Sequence, residues 1–192
     1  MKPLDDDKSD TRKRILDIAE QLLLTRGFNA FSYQHISSAL GVRNAAIHYH
    51  FPKKTDLGVA LIQRYCRRFE RFVDAQRALP PTEQLERYFT LTDTYYAQEQ
   101  QICPSGILTT EYQTLPLEMQ QETDQFVEAM RAWAVCIATA GRDNGSMRYG
   151  GSPQAMGLLM LSALQGGLQL ARTDQTVLAT LKDQIRALLG LA

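Results

Sequence analysis

"ISSALGVRNAAIHYHFPKKTDL", residues 36–57, sets two histidines, a tyrosine, an arginine, an asparagine and two lysines around a short apolar pattern. Ile36 and Leu40 lie one helical turn apart, and Gly41 offers the left-handed conformation that a Cβ resists. A very short helix then fits from about Asn44 to His50, carrying Ile47 inward, and Pro52 forbids its simple continuation. This is the spacing of a helix-turn-helix, two helices crossing at a wide angle through a tight turn. Ile36, Leu40, Val42 and Ile47 are expected to form the shared core. Ser37 supplies the small side chain needed where the helices approach, and Phe51 plugs the end.

The residues left outside carry the chemistry. Arg43, Asn44, Ala45 and His48 fall on the first turns of the short helix, where a recognition helix presents side chains to base edges. Arg43 can fork onto a guanine edge, Asn44 can pair twofold with adenine, Ala45 can touch a thymine methyl, and His48 can donate to an acceptor. Tyr49, Lys53 and Lys54 come one turn later, where hydroxyl and ammonium donors suit phosphates. By default the two lysines are solvated surface; their place after the short helix and the local positive balance favour phosphate. His48 and His50 point roughly 200° apart on a helix and cannot share a metal ion, so no metal site is expected. His50 reads as a half-buried packing residue, and His35 equally as helix surface or as a DNA contact.

Working outward, helical spacing recurs along the chain and sustained β-alternation does not, so the fold is read as all-α with about nine helices. The helices fall at about Ser9–Arg26 (Ile15, Ile18, Ala19, Leu22 and Leu23 inward, Gly27 as the stop), from a Ser32 cap to Leu40, and at Asn44–His50. A long helix with Thr55 as its cap runs to about Leu79, where Pro80 and Pro81 end it. Further helices are expected at Glu83–Gln100, Ser105–Gln113, Leu117–Arg142, Pro153–Arg172 and Gln175–Leu189. The chain has 192 residues, 44% hydrophobic and 22% charged, the composition of an ordinary globular protein. Its 21 basic and 21 acidic residues balance, but unevenly: residues 1–58 are net +2, rising to +4 from Lys8 once the polar lead with Asp5, Asp6 and Asp7 is set aside. The basic part is the N-terminal part.

The stretch "TRKRILDIAEQLLLTRGFNAFSYQHISSALGVRNAAIHYHFPKKTDL", residues 11–57, resembles the DNA-binding domain of the TetR family of bacterial transcriptional regulators. The hallmarks are the helix ending in "RGF", the "ISSALGV" helix and turn, and the "HYHFPKKTDL" exit. The resemblance implies a DNA-binding domain over residues 1–56, ordered from about residue 9, and an effector-binding and dimerisation domain over 57–192. It implies a homodimer on double-stranded operator DNA, and repression relieved by a small-molecule effector. It also carries over helix 44–50 as the reader, Tyr49 and Lys54 as phosphate contacts, and Ser32, Tyr33 and Gln34 as further backbone contacts.

The second half shows no phosphate loop, HExxH or nucleophile elbow, so neither enzymatic chemistry nor a cofactor is expected. Residues 87–133 are rich in pocket-lining types. Tyr88, Tyr95, Tyr96, Ile107, Leu108, Tyr112, Phe126, Met130 and Trp133 are candidate ligand contacts, with Glu111 either a liner or surface. Cys103 precedes Pro104 at the start of a helix, where the helix dipole lowers a thiol's pKa. Cys103 is therefore either a redox or electrophile sensor, the nucleophile of a small-molecule enzyme, or an inert core cysteine. A DNA-binding architectural protein without an effector is a further reading. Three widely spaced cysteines (66, 103, 136) and a polar, acidic start point to a reducing cytoplasm. "AMGLLMLSALQGGLQLA", 155–171, is broken by Ser162, Gln165 and Gln169 and falls short of the roughly 20 residues of a membrane span. With Gly157, Ala163, Gly166 and Gly167 permitting close approach, helices 153–172 and 175–189 are expected to pack inward and against a twin subunit.

Overall fold

Ile15, Ala19 and Leu23, spaced one turn apart, form the buried stripe of the first helix, α1 (Leu4–Arg26). This is a computed structural model, which describes residues 4–97 and 103–191. After α1 come α2 (Tyr33–Leu40), α3 (Asn44–His50), α4 (Lys54–Gln76), α5 (Pro81–Ala97), α6 (Pro104–Thr110), a 3₁₀ turn at Tyr112–Thr114, α7 (Leu117–Asp143), α8 (Pro153–Leu170) and α9 (Val177–Leu188). Among the described residues there is no strand, and the fold is all-α. No helix among them is long and apolar enough to cross a membrane.

Helices α1 to α3 form a small unit on the first half of α4. The 27-residue α7 is the axis of the rest and packs on α4, α5, α6 and α8. The buried residues form one continuous cluster from Ile15 to Leu189, so both regions share a core through α4. Close packing of α8 on α7 requires Gly157, whose added Cβ would lie 2.7 Å from the backbone nitrogen of Val135. Gly167 makes room for Leu181 of α9, whereas Gly166 faces open space. Two of the glycines expected at a subunit interface are thus used within the protomer.

Several boundaries differ from the expected ones, each for a local reason. Helix α1 starts at Leu4, taking in the acidic lead. Lys53, not Thr55, occupies the cap of α4, because the Asp56 carboxylate accepts from the Lys53 amide at 2.9 Å, a charge-assisted bond that a threonine hydroxyl cannot match. The helix stops at Gln76, where the amide of Arg77 turns to the Asp74 carbonyl. Pro81 opens α5 two residues early, since proline is tolerated in a first turn; the expected last residues, 98–100, lie outside the described ones. The single helix expected over 105–113 is instead α6 and a 3₁₀ turn broken at Glu111.

Candidate nucleic-acid interface and effector cavity

Gly41 takes φ 70°, ψ 30°, and the amides of Gly41 and Val42 return to the carbonyls of Ser38 and Ser37. This closes α2 and aims α3. Ile36 and Ile47 are fully buried and Phe51 is 2% exposed, but Val42 is 38% exposed and not part of the core as expected, because the turn points it outward. Ser37 joins the two helices, donating to Asn44 Oδ1. Tyr33 joins them again: its hydroxyl donates to the Phe51 carbonyl at 2.7 Å and its ring meets His48 edge-on at 4.7 Å.

Eight of the ten residues expected to meet DNA are exposed: Ser32, Gln34, Arg43, Asn44, Ala45, His48, Tyr49 and Lys53. Two of these carry constraints that the sequence did not disclose. Asn44 already spends one oxygen lone pair on Ser37, so it secures the start of α3 as well as facing outward. His48 Nδ1 lies 3.2 Å from the Pro52 carbonyl, which can only accept. The ring proton therefore sits on Nδ1, and in the neutral ring Nε2 accepts rather than donates, a reversal of the expected role. His35 turns its Nδ1 back to accept from the Ser32 amide at 3.0 Å and closes the start of α2.

The other two residues are corrections. Tyr33 is buried, and burial together with the nearby Asp56 pushes its hydroxyl up to about 12, so its side chain is not presented to a phosphate. Lys54 turns inward: its Nζ donates to the Phe28 carbonyl at 2.5 Å and lies 4.3 Å and 4.5 Å from the ring centroids of Phe28 and Phe31. Burial lowers its pKa, opposed by Glu111. An ammonium held over two rings and a carbonyl is a structural tie, not a free phosphate contact.

Glu111 is the second half of that tie. It was expected as a liner or as surface, but its carboxylate accepts from the backbone amides of Phe28 at 2.5 Å and Asn29 at 3.3 Å. Asn29 Nδ2 also donates to Thr114 Oγ1 at 2.7 Å. Gly27 adopts φ 90°, where a side chain would be strained, and a Cβ there, 2.5 Å from Glu111 Oε1, would push the carboxylate out of its present place. The α1–α2 loop is thus gripped by the segment that follows α6.

A cavity of about 140 Å³ lies between α4, α5, α7 and α8, closed by the start of α6. Of the expected ligand contacts, Tyr88, Tyr95, Cys103, Phe126 and Met130 line it. Leu108 is instead wholly core, and Ile107 and Tyr96 pack half-buried against the core. Tyr112 points away and donates to Asp124 at 2.8 Å. Trp133 stands behind the wall, its ring 4.9 Å from that of Tyr88, and faces a separate open groove. Sequence reasoning missed Tyr65, Arg68, Phe69 and Phe72 of α4, along with Leu91, Thr92, Pro104, Leu164, Gln165 and Leu168. The α4 aromatics were findable: Tyr65, Phe69 and Phe72 continue the helical stripe of Leu57 and Leu61, but the stretch lay outside the aromatic-rich window.

For Cys103 the lowered pKa expected at a helix start is not found, and of the three readings the inert core cysteine fits best. It is 7% exposed, and burial pushes its thiol up, outweighing the Ser105 hydroxyl at 2.9 Å and the backbone amides that pull it down. A buried thiol with a raised pKa is a poor nucleophile, which removes the basis for reading it as activated. On the α1 side, Arg64 pairs with Asp17 and Glu20, and the cavity-lining Arg68 pairs with Glu20.

The family described as "Bacterial regulatory proteins, tetR family" matches residues 15–61. Over 149 residues, 75% of each chain, the protein is 24% identical to the HTH-type transcriptional repressor NemR of Escherichia coli K12. The TetR transcriptional regulator of Legionella pneumophila superimposes with a TM-score of 0.83 at 31% identity, over 93% of this chain and 97% of that one. A TetR-family regulator from Agrobacterium tumefaciens gives 0.89 at 25% identity, over 95% and 99%. The exposed N-terminal face of α3, the Gly41 turn that aims it and these likenesses agree: the chain belongs to the TetR family of DNA-binding transcriptional regulators.

Proposed function

We propose that the protein is a homodimeric repressor that leaves its operator when a small molecule fills the cavity between α4, α5, α7 and α8. Residues 1–56 serve as the reading domain and 57–192 as the effector and dimerisation domain. Arg43 and Ala45 read base edges from the start of α3, Asn44 contributes its free amide donor, and Ser32, Gln34, Tyr49 and Lys53 hold phosphates. The second copy covers α8 and α9, where Leu158, Leu159, Leu170 and Leu188 are 43–59% exposed within one protomer. Such a row of leucines is the surface a twin subunit would cover.

One observation carries the coupling. Residues 103–114 are continuous from the cavity wall, at Cys103 and Pro104, to the grip of Glu111 and Thr114 on the α1–α2 loop. Arg68, on the same wall, holds Glu20 of α1. A ligand that shifts the wall therefore pulls on the reading unit from two sides, and a hundredfold loss of operator affinity needs only about 2.7 kcal/mol of such coupling. No enzymatic role is assigned to the buried Cys103.

Selection from random duplex DNA tests the reading. The expected product is an inverted repeat whose half-sites lie roughly 34–36 Å apart, one turn of DNA, or a multiple of that. A pool without enrichment, or one enriched for single half-sites bound by a monomer, refutes it.

A further inference from the structure

Two spaces of very different size meet at Phe69 of α4. The cavity between α4, α5, α7 and α8 measures about 140 Å³. An open groove of about 620 Å³ lies outside it, against the later part of α4, Gln84 near the start of α5, and the middle of α7. Phe69 is the one described residue that lines both.

The aromatic contacts show how the wall between them is built. Where Phe72 and Tyr88 face the cavity, Trp133 stands behind them on the groove side, with ring centroids 5.9 Å and 4.9 Å away. There the wall is two rings deep. At Phe69 it is one ring deep: the same buried ring meets Phe126 of the cavity edge-on at 6.3 Å and Trp133 of the groove edge-on at 5.9 Å. An apolar cavity of roughly 150 Å³ accepts one benzene ring, so the enclosed space fits a single-ring guest. A second ring would have to displace side chains already in contact, and overpacking of that kind is costly. Joined to the groove, the space would instead reach the roughly 300–1,000 Å³ of ordinary ligand sites.

We infer that Phe69 sets the size limit of the effector: its ring is the partition that holds the guest to one ring, and a smaller residue at 69 admits a second ring toward Trp133. The inference rests on the cavity being the effector site. It concerns size alone, and makes Phe69 a specificity-determining residue.

The test is calorimetric titration of the full-length protein, Phe69→Leu and Phe69→Ala with p-cresol and 4-phenylphenol, which share a hydroxyl and differ by one ring. The readout is the ratio of the two affinities, which a general loss of stability would not shift toward the larger probe. Wild type should bind p-cresol once per protomer and at least tenfold tighter than 4-phenylphenol. Phe69→Ala should reverse that order, with p-cresol competing for the same site, and Phe69→Leu should move the ratio the same way by less. Should Phe69→Ala fail to fold, the milder Phe69→Leu decides alone. No binding of p-cresol to wild type, equal or tighter binding of 4-phenylphenol to wild type, or a wild-type ratio in the folded variants overturns it. Operator release, followed separately, keeps the two readings apart. The expected ratios without release leave the size limit standing and sink the coupling, whereas release by either probe with unchanged ratios does the reverse.

Discussion

Replacing Glu111 by glutamine tests the grip on the α1–α2 loop with almost no change of shape. The carboxylate accepts from two backbone amides, Phe28 at 2.5 Å and Asn29 at 3.3 Å, with the Lys54 ammonium close enough to interact. Hydrogen bonds to a charged group are worth about 1.5–3 kcal/mol, roughly twice neutral ones. The Phe28 bond is short and part-buried; the Asn29 bond is long and exposed, so the first dominates. Glu111→Gln keeps one acceptor oxygen but loses the charge, and a cost of about 1–2 kcal/mol follows. For a chain of this length that lowers the thermal midpoint by about 2–8 °C. Hydrogen exchange reads the same event locally: the Phe28 amide should lose protection about 5- to 30-fold, the factor that 1–2 kcal/mol implies. On the proposed coupling through this grip, operator affinity measured by fluorescence anisotropy should fall by up to about tenfold, equivalent to 1.4 kcal/mol. If the midpoint drops while Phe28 exchange and operator affinity both stay within twofold of wild type, Glu111 is a stability residue and the transmission argument fails.

The two neighbouring lysines should part company. Lys53→Ala, at an exposed position, should weaken binding to all sequences alike and lower the salt slope by about one. Lys54→Ala should leave that slope unchanged and instead cost roughly 2 kcal/mol of stability, from the lost Phe28 carbonyl bond and the two ring contacts; equal salt slopes for both variants would return Lys54 to the DNA. Arg43→Ala should flatten preference at one base position by about 1–3 kcal/mol, read from binding to all four base substitutions. Tyr33 titrates at about 12 in the folded protein against 10.0 when unperturbed. The folded state then holds its proton more tightly, so the stabilisation is intact below pH 10 and is lost as pH rises toward 12, by about 2–3 kcal/mol in all. Tyr33→Phe should unfold less steeply than wild type over that interval, and parallel curves would contradict the assignment. Leu159→Glu, on the exposed face of α8, should shift the protein to monomer in sedimentation and abolish binding to the inverted repeat while preserving helicity. A dimer that persists would move the interface elsewhere.

Much of the architecture was legible in the sequence because its causes are local. Apolar residues one turn apart, Gly41 where φ is positive, and prolines that cannot continue a helix act on their own stretch of chain, and among the described residues they located nine helices, every end but the start of α1 to within three residues. The exposed face of α3 followed from the same reasoning, because a seven-residue helix with Ile47 inward leaves little choice about which side chains face out. What only the tertiary structure decided are partnerships between residues far apart in the chain. Lys54 and Phe28 are separated by 26 positions, Glu111 and Phe28 by 83. Nothing in the periodicity around Lys54 or Glu111 signals that one turns to an aromatic pair and the other to a loop amide. The cavity behaves likewise: aromatic residues were visible as a population, but whether Trp133 or Tyr65 faces the space depends on how α4 and α7 rotate against each other. Cys103 makes the distinction sharpest. Its helix-start position is written in the sequence and argues for a lowered pKa, whereas its burial exists only after folding, and desolvation outweighs the helix end.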